Sequence, residues 1–251
     1  MRRYYRLWKH FKNWYLYVAY KFGFVKRDTL VFETRNGVIV CVPRRLVQTF
    51  KEIFMDECYL AGLGKNVPPG RTVIDIGANA GYFTVFAASV FPESSILSYE
   101  PIPVNYALLA RHRDLNPKAR IHCFAAAVAG HTGEIELSFD AGDSFTTSAT
   151  MMHTDPGATD SLTVPCVTLE RIFQINGVQD CALLKMDCEG AEYDILYGCS
   201  SDLFRRIDQI AMEVHGGEGK DQNIDALEAF LQKQGYATRR RPVGMLWAWR
   251  G

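Results

Sequence analysis

Acids, glycines and one histidine cluster where four apolar runs of the chain end. The first run, Val73-Ile74-Asp75-Ile76, enters a turn with two glycines, Gly77-Ala78-Asn79-Ala80-Gly81, and continues as Tyr82-Phe83. Glycines in such a turn let backbone approach a ligand closely and take φ values that other residues resist. Asp75, Gly77, Ala78, Asn79, Gly81 and Phe83 are therefore read as a cofactor cradle. The glycines alone would equally suit a pyrophosphate. A carboxylate at Asp75 would repel one, and the spacing Gly77-x-x-x-Gly81 is not the G-x-G-x-x-G dinucleotide fingerprint. S-adenosylmethionine offers an ammonium and a sulfonium in place of phosphates, so Asp75 favours that cofactor. Glu100 follows the next apolar run, in Ser98-Tyr99-Glu100-Pro101, where an acid can accept hydrogen bonds from both ribose hydroxyls. NAD enzymes carry an acid there too, so Glu100, with Pro101 beside it, fits either adenosine cofactor.

The second constellation is Leu183-Leu184-Lys185-Met186-Asp187-Cys188-Glu189-Gly190-Ala191-Glu192. In an open α/β sheet this run lies beside the first, so Asp187 and Glu189 should face the same crevice. There they could contact the cofactor, position an acceptor hydroxyl, take its proton or hold a metal. Acids at a helix N-terminus that complement its dipole are the simpler explanation of Glu192, and extend in part to Glu189. The third constellation is Met212-Glu213-Val214-His215-Gly216-Gly217. Glu213 and His215 alternate with apolar neighbours and point to one side of a strand. A histidine there, with an ordinary pKa near ~6.5, suits a general base at neutral pH. Asp187 is the alternative base. Asp187, Glu189 and Glu213 could instead bind Mg²⁺ or Ca²⁺ and acidify the hydroxyl, a choice the sequence leaves open.

These residues need elements to hold them at one edge. From residue 71 the periodicity alternates: strand 72–76, helix 82–90, strand 95–99, helix 104–115, strand 121–128 and an accessory strand 135–139. After a polar stretch at 140–161, read as a lid, come extended chain 164–168, helix 169–175, strand 181–186, helix 191–198, strand 209–214 and helix 224–234. The end, 236–240 and 245–249, reads as an antiparallel pair. Alternating β and α units predict a doubly wound, mostly parallel sheet with helices on both faces over residues 71–251. Ahead of it, residues 29–70 hold a hairpin about Asn36-Gly37 and a helix over 47–63.

Residues 1–27 carry eight of the 28 basic residues and none of the 28 acidic ones, which leaves 28–251 with a formal charge of −8. Their spacing Leu7–Phe11–Trp14–Tyr15–Val18–Phe22 predicts one amphipathic helix within a segment 1–28. Such a helix suits an anionic membrane surface, or else packs on the catalytic domain or on a partner in a homodimer. The net charge of the whole chain is zero, so nucleic acid is not expected as a partner. Seven cysteines without a C-x-x-C pair read as reduced thiols. With no signal peptide and no apolar run of membrane-spanning length, a cytoplasmic protein, at most peripheral at a membrane, is expected.

Together D-I-G-A-N-A-G-Y-F at 75–83, Y-E-P at 99–101, K-M-D-C-E-G-A-E at 185–192 and E-V-H at 213–215 resemble the FkbM family of methyltransferases. T-R-N-G at 34–37 and E-I-F at 52–54 extend the resemblance to roughly residues 30–250. The resemblance implies a class I, Rossmann-like fold with a seven-stranded sheet, and S-adenosylmethionine-dependent methylation of a hydroxyl oxygen. It also implies sugars, glycans or polyketide-type natural products as acceptors, and an adenine contact around Ala126–Val128 through backbone groups. The rival readings are an NAD-dependent oxidoreductase on a related sheet and a non-enzymatic protein of the membrane surface.

Overall fold

The computed structural model describes residues 2–139, 160–217, 219–242 and 244–251. The chain opens with α1 (Arg2–His10) and α2 (Tyr15–Lys21), two helices where the sequence predicts one. The break has a local cause. Asn13 donates its side-chain amide to the Val31 carbonyl and accepts from the Glu33 amide, both at 2.9 Å, so it bonds to a strand edge rather than to a helix ladder. The predicted stripe breaks with it: Leu7 and Phe11 are buried, whereas Trp14, Tyr15 and Phe22 are exposed. Next comes the hairpin β1 (Thr29–Glu33) and β2 (Ile39–Pro43), turned at Gly37 with φ of 88°. The helix predicted over 47–63 is only α3 (Val47–Phe50), followed by a π-turn at Lys51–Met55. Ile53, Phe54 and Met55 are all buried, and the one-sided apolar stripe of an amphipathic α-helix does not bury three successive residues.

The main domain runs β3 (Thr72–Ile76), α4 (Tyr82–Val90), β4 (Ser95–Tyr99), α5 (Pro103–Leu115), β5 (Arg120–Phe124), β6 (Ala127–Val128), β7 (Gly133–Phe139) and β8 (Asp160–Val167). It continues as α6 (Leu169–Ile175), β9 (Cys181–Met186), α7 (Glu192–Tyr197), α8 (Ser201–Phe204), β10 (Gln209–Glu213), α9 (Ile224–Lys233), β11 (Tyr236–Arg240) and β12 (Met245–Arg250). Seven strands form one sheet in the order β11-β12-β10-β9-β3-β4-β5. From β10 to β5 every pairing is parallel, and the C-terminal hairpin adds β12 antiparallel to both β10 and β11. This is the mostly parallel, Rossmann-like sheet that the alternating periodicity predicts. The strand predicted over 121–128 divides, because Ala127 and Val128 leave the main sheet to pair with β8 in a second sheet, β6-β8-β7. Of the stretch read as a lid, residues 140–159 lie outside the described residues, and 160–161 open β8.

The chain leaves β3 for β4 and β5 on one side, then returns to β9 and β10 on the other. The switch point of the sheet is therefore between β3 and β9, and a ligand crevice opens beyond their carboxyl ends. One face of the sheet is covered by the N-terminal segment and α4, which share one hydrophobic core from Leu7 to Trp247. The other face is covered by α6, α7 and α9. Among the described residues no helix is long and apolar enough to cross a membrane.

Candidate functional site

At the switch point the two central strand ends nearly touch. Asp187 donates its amide to the Ile76 carbonyl at 3.2 Å. Gly77 has φ of 67°, and a Cβ there would lie 1.8 Å from the Asp187 carbonyl oxygen. Nothing larger than glycine fits. Two other turn residues at the crevice take left-handed backbone, Asn79 with φ of 50° and Glu189 with φ of 51°. Such conformations are uncommon outside glycine, and strained residues of this sort concentrate where a fold presents function.

Behind the Gly77 turn, Lys185 and Asp75 form a buried ion pair at 3.1 Å. Lys185 also donates to the carbonyl oxygens of Gly77 at 2.7 Å and Ile76 at 3.2 Å. Burial opposes the charge on Lys185, but Asp75 and Asp187 outweigh it and raise its pKa. Asp75 itself accepts from Thr84 at 2.7 Å and is fully buried. This corrects the expectation that Asp75 touches a cofactor: it braces the turn from beneath. With its charge compensated by Lys185, it no longer disfavours a pyrophosphate. Gly81 is corrected too. Its φ of 83° starts α4, and a Cβ there would meet Leu109 of α5, so this glycine serves helix packing. From the same turn, the Ala80 carbonyl accepts from His112 Nδ1 at 2.8 Å, while His112 Nε2 accepts from the Cys41 amide at 3.0 Å. Burial lowers the pKa of His112 to about 4, which keeps it neutral for both roles.

The crevice has two chambers that share Gly77, Asn79, Asp187 and Glu189. The first is a slot between Tyr99, Pro101, Ile102, Ala127, Val128 and Leu137, with Glu100 at its edge. Glu100 accepts from the Asn79 amide at 2.7 Å and the Ile102 amide at 2.9 Å. Burial raises its pKa to about 7 against those two hydrogen bonds. Glu100 and Pro101 thus stand where the sequence suggests, and Ala127 and Val128 lie in the same slot.

The second chamber, ≈ 570 Å³, is lined in part by Ala78, Phe83, Tyr59, Glu52, Glu213 and His215. Asp187 accepts the Tyr59 hydroxyl proton at 2.8 Å. His215 lies between two carboxylates: Nδ1 is 3.1 Å from Glu192 and Nε2 is 3.4 Å from Glu189. Glu192 is fully buried, and its oxygens also accept the amides of Cys188 at 3.1 Å and Gly190 at 3.0 Å. Its hydrogen bond, reinforced by the charges around it, raises the pKa of His215 to about 9. His215 is therefore a cation at neutral pH, in contrast to the ordinary value assumed from sequence. Burial raises Glu189 to about 7, and Glu213 is raised for the same reason. Asp187, Glu189 and His215 bring one ligand-type atom each within 4.8 Å of the others. Glu213 stands outside that set, which corrects the trio proposed for a metal.

Sequence reasoning missed four contributors. Lys185 was visible as a lone charge inside an apolar strand, a pattern that demands a buried partner. Glu192 had the simpler role of a helix-start acid, and it holds that role while also orienting His215. Tyr59 and Leu137 carry no local signal, since Tyr59 meets Asp187 across 128 positions of sequence.

Comparison with known proteins gives the chain a family. Residues 75–238 match the family described as Methyltransferase FkbM domain. The chain is 28% identical over 213 residues to the 31-O-demethyl-FK506 methyltransferase FkbM of Streptomyces tacrolimicus, covering 71% of this chain and 78% of that one. It is 25% identical over 203 residues to Methyltransferase 1 of Beauveria bassiana, covering 74% and 79%. Among solved structures, methyltransferase FkbM from Methylobacillus flagellatus KT aligns with a TM-score of 0.47 at 14% identity, over 82% of this chain and 54% of that one.

Proposed function

Since the chain belongs to the FkbM methyltransferase family, we propose that it methylates a hydroxyl oxygen of a sugar, glycan or polyketide-type acceptor, with S-adenosylmethionine as donor. One observation carries the reading: an apolar slot with a buried carboxylate opens, past Gly77 and Asp187, into a chamber of acids and one histidine. The residues of the slot fit the cofactor. Glu100 has carboxylate oxygens to offer to hydroxyls, apolar side chains line the slot for a flat ring, and Gly77 lets the ends of β3 and β9 meet at its floor. When bound, S-adenosylmethionine supplies an electrophilic methyl group. Oxygen as the accepting atom is supported by the name of the Streptomyces tacrolimicus relative, whose acceptor is a 31-O-demethyl compound.

The chain's own task is to align the acceptor and remove its proton. Alignment can lower a barrier by ~7–11 kcal/mol and is the largest contribution available. Asp187, Glu189 and Glu213 offer oxygens to acceptor hydroxyls, and Tyr59 and Phe83 offer ring faces to its C–H surfaces. His215 takes the proton on Nε2, while Glu192 on Nδ1 fixes the tautomer and stabilises the cation that forms. Because His215 must first be neutral, kcat/KM should rise with pH toward about 9. We assign Asp187, Glu189 and His215 to proton handling rather than to a divalent cation, because the imidazolium between Glu189 and Glu192 already brings positive charge to this cluster.

Calorimetric titration with S-adenosylhomocysteine and with NAD tests the proposal. The native chain and His215→Gln should bind S-adenosylhomocysteine saturably, and Glu100→Ala should not. His215→Gln should slow turnover of a hydroxylated acceptor by about 10²–10⁴-fold. Binding of NAD alone would overturn the reading.

A further inference from the structure

We propose that the outward side of the N-terminal segment is a docking surface for an anionic phospholipid bilayer. The sequence marks this segment as basic and aromatic, and the structure divides those residues into two groups. Leu7, Phe11 and Tyr17 are buried in the shared core and hold the segment in place. The other aromatics remain outside: Tyr5 is 61% exposed, Trp8 49%, Tyr15 62%, Phe22 66% and Phe24 83%. A segment needed only for packing would not leave five large rings in water. Rings that combine an apolar body with a polar tip, flanked by cations, favour the interface between lipid headgroups and acyl chains.

Charge identifies the lipid. Arg3, Arg6 and Lys12 are neutralised by Asp56, Glu57 and Glu33. Arg2, Lys21, Lys26 and Arg27 make no ion pair among the described residues. The chain is neutral as a whole, and residues 1–27 carry a formal charge of +8 against −8 for residues 28–251. An anionic surface would therefore orient the molecule with the segment toward it, by attraction that fades within a Debye length of ~8–10 Å. A zwitterionic surface would exert no such pull. Arg3 also lines the acid-rich chamber, so docking brings one wall of that chamber to the bilayer. The inference does not depend on which reaction the chamber performs.

Deleting residues 1–27 is the wrong test, since it would strip Leu7 and Phe11 from the core. Surface substitutions avoid this. The full chain is floated with vesicles of phosphatidylcholine alone and of phosphatidylcholine with 30% phosphatidylglycerol, at ~0.1 M and ~1 M salt, the latter cutting the Debye length to ~3 Å. Two variants are compared, Tyr5→Ser/Phe22→Ser/Phe24→Ser and Arg2→Glu/Lys26→Glu/Arg27→Glu, each first shown to bind S-adenosylhomocysteine or to melt like the native chain. Flotation with the anionic vesicles only, weakened by salt and reduced at least tenfold in both variants, supports the proposal. Equal flotation of native chain and variants, or none, overturns it. A native dimer that the aromatic variant dissociates would overturn it too, and would assign the face to a second copy.

Discussion

On the β3 side of the crevice the turn 77–81 is tied down from behind by three separate elements. Lys185 holds its first carbonyl, Glu100 its Asn79 amide and His112 its Ala80 carbonyl. On the β9 side the loop 187–191 is gathered by Glu192 alone among buried carboxylates, and that same carboxylate also grips His215. Lys185 stays a cation and His112 a neutral ring, and of the three groups on the first turn only Glu100 titrates near neutrality. The second is held beside His215, raised to about 9, and Glu189, raised to about 7, so its charge changes between neutral and mildly alkaline pH. A cradle must keep its shape whatever occupies it, whereas a wall that handles protons must be able to change charge.

The comparison can be broken most forcefully at Lys185. Lys185→Met leaves Asp75 as an unpaired buried charge and should cost about 3–5 kcal/mol of stability, measured by urea unfolding. Asp75→Leu combined with Lys185→Met should recover most of that loss, since no charge then remains unpaired. A single variant as stable as the native chain would show that the turn needs no such anchor.

Glu192→Gln sharpens the contrast from the other side. Removing the charge that holds His215 protonated should move the rising limb of the kcat/KM profile down from about pH 9 toward the ordinary histidine value of ~6.5. A purely structural role would lower the rate at every pH and leave the limb where it was. In the native chain the raised His215 pKa also links to stability: its contribution is complete below ~6.5 and fades as pH rises through about 9. The smallest effect expected is none. Treatment with a chelator should leave methyl transfer unchanged, and a loss restored by Mg²⁺ or Ca²⁺ would return Asp187, Glu189 and His215 to the role of metal ligands.

Much of this protein is local enough to be read along the chain. The strands over 72–76, 95–99 and 181–186 and the helix over 169–175 have the predicted bounds, because apolar period and turn residues act over a few positions. Glu100, Asp187, Glu189 and His215 reach one crevice because each follows a strand of the same parallel sheet, and the order of strands carries them there. What remained hidden was which way a side chain turns and what it meets. Asp75 resembles a ligand group until Lys185 is found beneath it, and Gly81 resembles part of the cradle until Leu109 is found against it. His215 looks like an ordinary histidine until Glu192 and Glu189 flank it and raise its pKa. The N-terminal helix reads as continuous until Asn13 meets β1. Periodicity and motif determined the sheet and its edge, since these depend on neighbours in sequence. Charge state, direction and partner were decided by tertiary structure, because they depend on dielectric and on atoms brought close from far along the chain.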